Sequence, residues 1–473
     1  MSLSDFNFIP KDVIPKDLLP KDLRQKIQEH MGKDPSTLPI VTEQFERYNQ
    51  PNLQKALNEL TTAKGRESTI LGIQGGVLNN FTGVALSDLV APKSISHFVG
   101  LGGAKEGSVQ YTNMVLDAGE KLPCMVSGLI LVKGKPNLTI LVRGLSALES
   151  VGLGSINLDV MAEDKNSAEE FIREISRFIN KHNVYRGKLL SVDTRTNQFG
   201  TAGSTTLKFH TLPEISRDKI ILPAELLNRI ERQTVEVSQY SDKLKKAGRK
   251  MKRGILLHGK PGTGKTLTAM YLASAMKERT VLLVTGQGQQ MIQSSCSFAK
   301  WLEPSMVIIE DVDLIAQERS STGCNTPLLL ELMNEMDGLA DDCDVLFLLT
   351  TNRPEILEPA LASRPGRIDQ AYEVPLPDSD CRRRLFELYG KGLVLQVENL
   401  DKFIQRTQGA SAAFISELLR KAALFAASSD KEEITITDKH LDEAIHEMLI
   451  AGGALTKSLL GSKEVGFTVK DSP

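Results

Sequence analysis

Cysteine is sparse in this 473-residue chain: five residues, at positions 124, 296, 324, 343 and 381, with no CxxC pair. That excludes a disulfide framework or a Cys-rich structural zinc site, and predicts a reducing, cytoplasmic setting. Neither sign of charge dominates, since 57 Lys+Arg against 59 Asp+Glu leave a net of −2. A chain-wide nucleic-acid footprint is not indicated, which leaves open only a local basic patch. Long apolar runs are lacking too. Stretches such as Val345 to Leu349 fall far short of the roughly 20 residues that span a bilayer. The opening residues, MSLSDFNFIPKD, have neither the basic nor the apolar region of a signal peptide. Aromatic residues make up only 5%, but 41% apolar and 25% charged residues are ordinary for a globular protein. The length predicts two to four domains.

A short repeat stands first: Pro10-Lys11-Asp12, Pro15-Lys16-Asp17 and Pro20-Lys21-Asp22. Proline at every fifth position prevents a regular helix, so residues 1–65 read as an extended arm followed by helices near 22–33 and 52–63. The arm is either a leader or a docking element. Residues 66–195 read as an α+β domain. In it, Leu129–Val132 and Leu138–Val142 form a hairpin through Gly134–Asn137, and Ile156, Leu158 and Val160 alternate with polar residues as a half-buried strand. Ser167 and Glu170 fit a capping box ahead of a helix whose apolar face is Phe171, Ile172, Ile175, Phe178 and Ile179. Leu189 and Leu190 would begin a further strand. No catalytic constellation assembles in this domain.

Residues 196–214, rich in Thr, Gly and Ser, read as a connector. A helix is predicted over 224–247, running into a basic stretch from Lys243 to Arg253. With no aromatics interleaved, that stretch lacks a stacking platform for bases and reads as a solvated helix end. No nucleic-acid partner is expected.

After Arg253 the pattern changes. Ile255–Leu257, Val281–Val284, Met306–Ile309 and Val345–Leu349 are short apolar runs separated by helical stretches. Buried strands alternating with helices predict an α/β fold, a parallel sheet covered on both faces. The first run leads into Gly259-Lys260-Pro261-Gly262-Thr263-Gly264-Lys265-Thr266, a GxxxxGK[ST] loop between strand and helix. Glycines let backbone N–H groups wrap phosphates, the helix N-terminus favours the anion, Lys265 adds a point charge, and Thr266 offers a hydroxyl to Mg²⁺. A bound nucleoside triphosphate follows.

A second signal is Glu310-Asp311 at the end of the third run, where open α/β sheets bind ligands. One acid can hold the magnesium shell while the other orients the attacking water. Asn352 closes the next strand, where its amide can meet a γ-phosphate or a water. Arg364 and Arg367 sit on a Pro-Gly turn and suit transition-state charge stabilisation on a neighbouring subunit's nucleotide.

The order GKPGTGKT, VIIEDVD, LLTTNRP, LASRPGRID resembles one AAA-type ATPase module over about 215–455, roughly half of the chain. The resemblance implies a large α/β ATPase domain over 215–376, a small helical lid over 377–455 and a tail over 456–473. It implies a Walker A at Gly259–Thr266, a Walker B ending at Glu310 and Asp311, a sensor asparagine at Asn352, and arginine fingers at Arg364 and Arg367. Gly409 and Ala410, with Ser411, resemble the lid segment near the adenine. Family members usually form hexameric rings that use ATP and Mg²⁺ to remodel or thread macromolecules.

Two departures stand out. The family usually ends Walker B with Asp then Glu. Here the order is reversed, which assigns Glu310 to the metal and the shorter Asp311 to the water. That order is similar to the mitochondrial Rieske-protein translocases. The second departure is the central-pore loop, Gly286–Gln293, which has no aromatic: either Met291 and Ile292 grip substrate weakly, or the loop is a non-contacting, hydrogen-bonding one. The leading expectation is an ATP-hydrolysing ring that remodels a protein partner. The alternative is a nucleotide-gated scaffold with incidental turnover. A fused zinc protease is not expected, because His446-Glu447 lacks the second histidine of HExxH. A proteasome-type regulator is not expected either, because the chain ends VKDSP rather than in a tail with a penultimate aromatic.

Overall fold

Most of the short apolar runs become strands of two seven-stranded sheets. The computed structural model describes residues 22–63, 65–74, 85–91, 105–144, 155–196, 202–284, 289–313, 328–340, 342–355, 357, 368–427 and 433–448. The chain divides into two compact units, residues 1–184 with 194–207, and residues 185–193 with 208–473. The Pro-Lys-Asp repeat up to Lys21, the loop at 285–288, Arg364, Arg367 and the tail lie outside the described residues.

The first unit is built on an antiparallel sheet. Its strands are β1 (Ile40–Glu46), β2 (Glu67–Gln74), β3 (Lys105–Gly107), β4 (Gln110–Val115), β5 (Lys121–Lys133), β6 (Leu138–Gly144) and β7 (Ser155–Met161). They run in the order β1-β7-β6-β5-β2-β3, with β4 on β5. The expected hairpin is present, with Val132 opposite Leu138. Strand β1 precedes the boundary expected at 65/66, yet it pairs with β7 from Ile40↔Met161 to Glu46↔Ser155. Its sequence, IVTEQFE, buries only Phe45, so no apolar pattern marks it. On β7 the expected polar face is covered. Asp159 is 1% exposed and accepts from Arg143 Nε and Nη2 (3.0 and 3.1 Å), Thr42 Oγ1 (2.8 Å) and the Leu86 N–H (3.0 Å). A buried carboxylate is tolerable only when satisfied in this way.

The helix over Lys165–Lys181 buries Phe171, Ile172, Ile175 and Ile179 as its periodicity requires. Its cap differs from the expected one. Asp164 accepts from the Ser167 N–H at 3.0 Å, and Ser167 itself lies inside the first turn. Glu170 bonds Arg173 and Arg177 instead of reaching back. Ionised Asp accepts better at a helix N-terminus than a neutral hydroxyl, so the earlier residue takes the cap.

The second unit carries the parallel sheet. The sheet's strands are β8 (Leu189–Thr196), β9 (Ala202–His210), β10 (Arg253–His258), β11 (Thr280–Val284), β12 (Ser305–Ile309), β13 (Val345–Thr351) and β14 (Gln370–Glu373), in the order β14-β10-β13-β12-β11-β8-β9, with residues 194–196 of β8 and 202–207 of β9 counted in the first unit. Leu189–Ser191 pair in parallel with Val281–Leu283, so the strand opened by Leu189 and Leu190 joins the parallel sheet rather than the antiparallel one. The Thr-rich stretch read as a connector supplies β9. β-Branched threonines suit a strand even where no apolar run announces one.

The predicted helix at 224–247 is interrupted. Regular α-helix over Ala224–Glu231 passes through a π-turn at Arg232–Glu236 and breaks at Tyr240. The basic stretch is tied into its own unit. Lys245 pairs with Asp344 at 3.2 Å, and Lys252 Nζ donates to the Met336 and Leu339 carbonyls at 2.9 Å.

A helical lid closes the second unit, with α-helices over Ser379–Tyr389, Leu400–Arg406, Ala412–Ala426 and Asp438–His446 around Phe386, Phe403, Phe414 and Leu418. Among the described residues no helix is long and apolar enough to cross a membrane.

Candidate functional site

The phosphate loop follows directly from the sheet. Strand β10 is buried from Gly254 to Leu257, pairs with β13 and β14, and releases the chain into the loop at its C-terminal end. Two glycines there are irreplaceable for different reasons. A Cβ on Gly259 would stand 2.3 Å from the Val374 carbonyl oxygen. Gly262 has φ +75°, and a Cβ there would meet Ser411 Oγ at 2.8 Å and Ala413 Cβ at 2.9 Å. The loop therefore presses its backbone against the lid, and the Ala413 N–H donates to the Gly262 carbonyl at 3.1 Å.

Lys265 opens the following helix, Lys265–Ala275, and is 6% exposed. Its Nζ donates to the Gly259 and Lys260 carbonyls, both at 2.9 Å. Burial pulls its pKa down, while Asp311 and Asp313 oppose that by favouring the charged form. Thr263 Oγ1 donates to the Lys260 carbonyl at 2.9 Å and stiffens the loop. Thr266 is exposed, with its hydroxyl free to face a ligand.

Opposite the loop, the ends of β12 and β13 bring two neighbouring acids together with an amide some 40 residues further along the chain. Asn352 Nδ2 donates to Asp311 Oδ1 at 2.9 Å. Thr351 Oγ1 donates to Asp313 Oδ1 at 2.8 Å, and the Asn352 N–H reaches the same oxygen at 3.3 Å. Glu310 Oε1 is buried with no hydrogen-bond partner.

A cavity of about 910 Å³ joins these parts. Pro261 to Thr268, Asp311 and Asn352 line it on the sheet side, and Leu385, Tyr389, Ala412, Ala413, Ser416 and Glu417 line it from the lid. Glu310 does not line it.

Gly409 and Ala410 also do not line it. Gly409 turns the chain at φ +77°, and Ala410 is fully buried in the lid core. The wall lies at the start of the next helix, because Ser411 caps that helix and turns its first residues toward the loop. Sequence reasoning also missed Ile220, Ile221 and Leu222, which complete the wall. Their signal was an apolar run just before Pro223 that belongs to no strand. Ile292, expected as a weak grip in the pore loop, is 3% exposed within the helix Gln289–Trp301. It packs inside the unit rather than standing out as a grip.

The residues fit a nucleoside triphosphate with Mg²⁺. Lys265 and Thr266 line the cavity, and a buried carboxylate oxygen of Glu310, which does not itself line it, is left without a hydrogen-bond partner. Among the described residues no cluster of three or more His, Cys, Asp or Glu could hold a metal by itself. Mg²⁺ needs no such cluster, since it commonly takes one or two protein oxygens together with phosphate and water.

Residues 255–376 match the model of the ATPase family associated with various cellular activities (AAA). The chain is 30% identical over 308 residues to the proteasome-activating nucleotidase of Methanocella arvoryzae, covering 59% of this chain and 73% of that protein. It is 29% identical over 300 residues to the protein of the same name from Methanothermobacter thermautotrophicus, with 59% and 73% covered. It is 31% identical over 321 residues to the ATP-dependent zinc metalloprotease FtsH of Acaryochloris marina, with 63% of this chain but only 47% of that protein covered. The chain belongs to the AAA family of ATPases, whose members use ATP with Mg²⁺ and typically assemble as hexamers.

Proposed function

We propose that this chain hydrolyses ATP with Mg²⁺ within a ring of like subunits and uses the turnover to remodel a protein partner. The observation that carries the reading is the Asp311–Asn352 hydrogen bond of 2.9 Å on the wall of the cavity that also holds Lys265. A phosphate-binding cation and a carboxylate held by an amide are the groups an in-line attack by water requires.

Lys265 binds the β- and γ-phosphates once it exchanges the Gly259 and Lys260 carbonyls for phosphate oxygens. Thr266, on the cavity wall, would hold the metal together with Glu310, whose buried unpartnered oxygen would have to turn toward the cavity, and the metal would neutralise phosphate charge. Asp311 orients the attacking water and accepts its proton, and Asn352 fixes the direction of that carboxylate. Arg364 and Arg367 act on the nucleotide of the neighbouring subunit, a role supported by their place in LASRPGRID.

The test uses subunit mixing. Lys265→Ala and Arg364→Ala are each expected to abolish ATPase activity. Mixing the two inactive proteins is expected to restore part of it, because one supplies the intact cradle and the other the intact arginine. If Arg364→Ala keeps full activity alone, the ring reading fails. Asp311→Asn should bind ATP without turning it over and retain its partner; a variant that still performs the cellular function would favour the nucleotide-gated scaffold.

A further inference from the structure

The backbone at the end of β12 accounts for the short acid at position 311. Asp311 is the one non-glycine residue with positive φ among the described residues, at 47°. L-residues avoid that region because Cβ crowds the next carbonyl oxygen, and Asp and Asn enter it most readily. Two groups from the neighbouring parallel strand hold Asp311 there. Its N–H donates to Thr350 Oγ1 at 3.1 Å, and its Oδ1 accepts from Asn352 Nδ2 at 2.9 Å. Thr350 and Asn352 are two residues apart and so leave the same side of an extended chain, while Thr351 between them turns the other way, to Asp313. Thr350 is 1% exposed, so its hydroxyl oxygen is a fixed acceptor shielded from bulk solvent.

We infer that Thr350 is a positioning residue for ATP hydrolysis. By accepting from the Asp311 N–H, it holds the left-handed turn that gives a carboxylate one methylene shorter than glutamate its working position. The inference rests on the hydrolytic reading above. Acid length and backbone conformation are then a matched pair. Asp311→Glu restores the length usual in the family but places a residue poorly suited to positive φ at this turn, so it does not speed the reaction.

The experiment compares the full-length wild type with Thr350→Val, which keeps the shape and loses the acceptor, with Thr350→Ser, which keeps the acceptor, and with Asp311→Glu. Thr350→Val is expected to lower kcat about 100-fold, the scale of a 1 Å misplacement, with the Kd for a fluorescent ATP analogue near that of the wild type. Thr350→Ser should recover most of the loss, and Asp311→Glu should bring no gain in kcat. The inference is overturned if Thr350→Val keeps its kcat, if kcat and affinity fall together, or if Ser fails to recover the rate. Should Val unfold the chain, Asp311→Glu decides: turnover faster than wild type overturns the matched pair. A wild type without turnover sinks the hydrolytic reading and this inference with it, whereas equal turnover in wild type and Thr350→Val sinks this inference alone.

Discussion

At Gly262 a single missing side chain sets the distance between the ATPase sheet and its lid. A Cβ there would fall within 3 Å of both Ser411 Oγ and Ala413 Cβ, at a φ of +75°. Ser411 Oγ could rotate away, but Ala413 Cβ is fixed to the backbone. Left-handed backbone alone costs a non-glycine residue about 1–2 kcal/mol. Gly262→Val is therefore expected to weaken ATP binding by at least about tenfold, a loss of about 1.4 kcal/mol. Titration with a fluorescent ATP analogue measures this, and unchanged affinity would show that the loop and lid separate freely. GxxxxGK[ST] made the loop legible in the sequence, although Gly262 stands at one of its unspecified positions. Its contact with residue 413 was not, because that contact depends on how a helix 150 residues later is capped.

Helix capping governs the lid as well. Asp378 accepts from the Cys381 N–H at 2.8 Å at the start of the helix Ser379–Tyr389. That hydrogen bond, more than any neighbouring charge, holds the Asp378 carboxyl below the usual carboxylate range. A depressed folded pKa contributes stability above the unfolded pKa, and the contribution is lost as pH falls through the folded value. Asp378→Asn keeps a good cap but cannot titrate. The difference in thermal midpoint between wild type and Asp378→Asn should narrow as pH falls from neutrality into that range. Midpoints measured across pH check this, and a constant difference would assign the cap no electrostatic part. At this scale the apolar helix and strand faces were readable from periodicity, as at Phe171–Ile179 and Ile255–Leu257. Polar elements were not. Strand β1 and the Thr-rich β9 carry little apolar signal, and their pairing is chosen by partners far along the chain.

For the molecule as a whole, the chain crosses between its two units within β8 and returns within β9. A fragment of residues 215–455 would keep the whole motif set but lose β8, whose Leu189, Leu190 and Val192 are all under 5% exposed. It would also leave β11 as a bare edge, which invites aggregation. A fragment of residues 185–455 retains that strand. The longer fragment is expected to melt several degrees higher, as loss of about 1 kcal/mol or more predicts for a domain of this size, and to stay monodisperse without nucleotide. Equal melting and solubility would show that β8 and β9 are dispensable to the ATPase sheet.

The phosphate loop, the acidic pair, the asparagine and the parallel α/β class were determined by the sequence itself. Each rests on local chemistry: glycines at fixed spacing, carboxylates at a strand end, and buried runs alternating with helices. Tertiary structure alone decided that Asn352 meets Asp311, that the cavity wall is Ala412–Ala413 rather than Gly409–Ala410, that Ile292 is core, and that the strand beginning at Leu189 belongs to the ATPase sheet. Those outcomes depend on which distant segments share a strand edge or a helix end. Residue spacing along one segment carries no record of that choice.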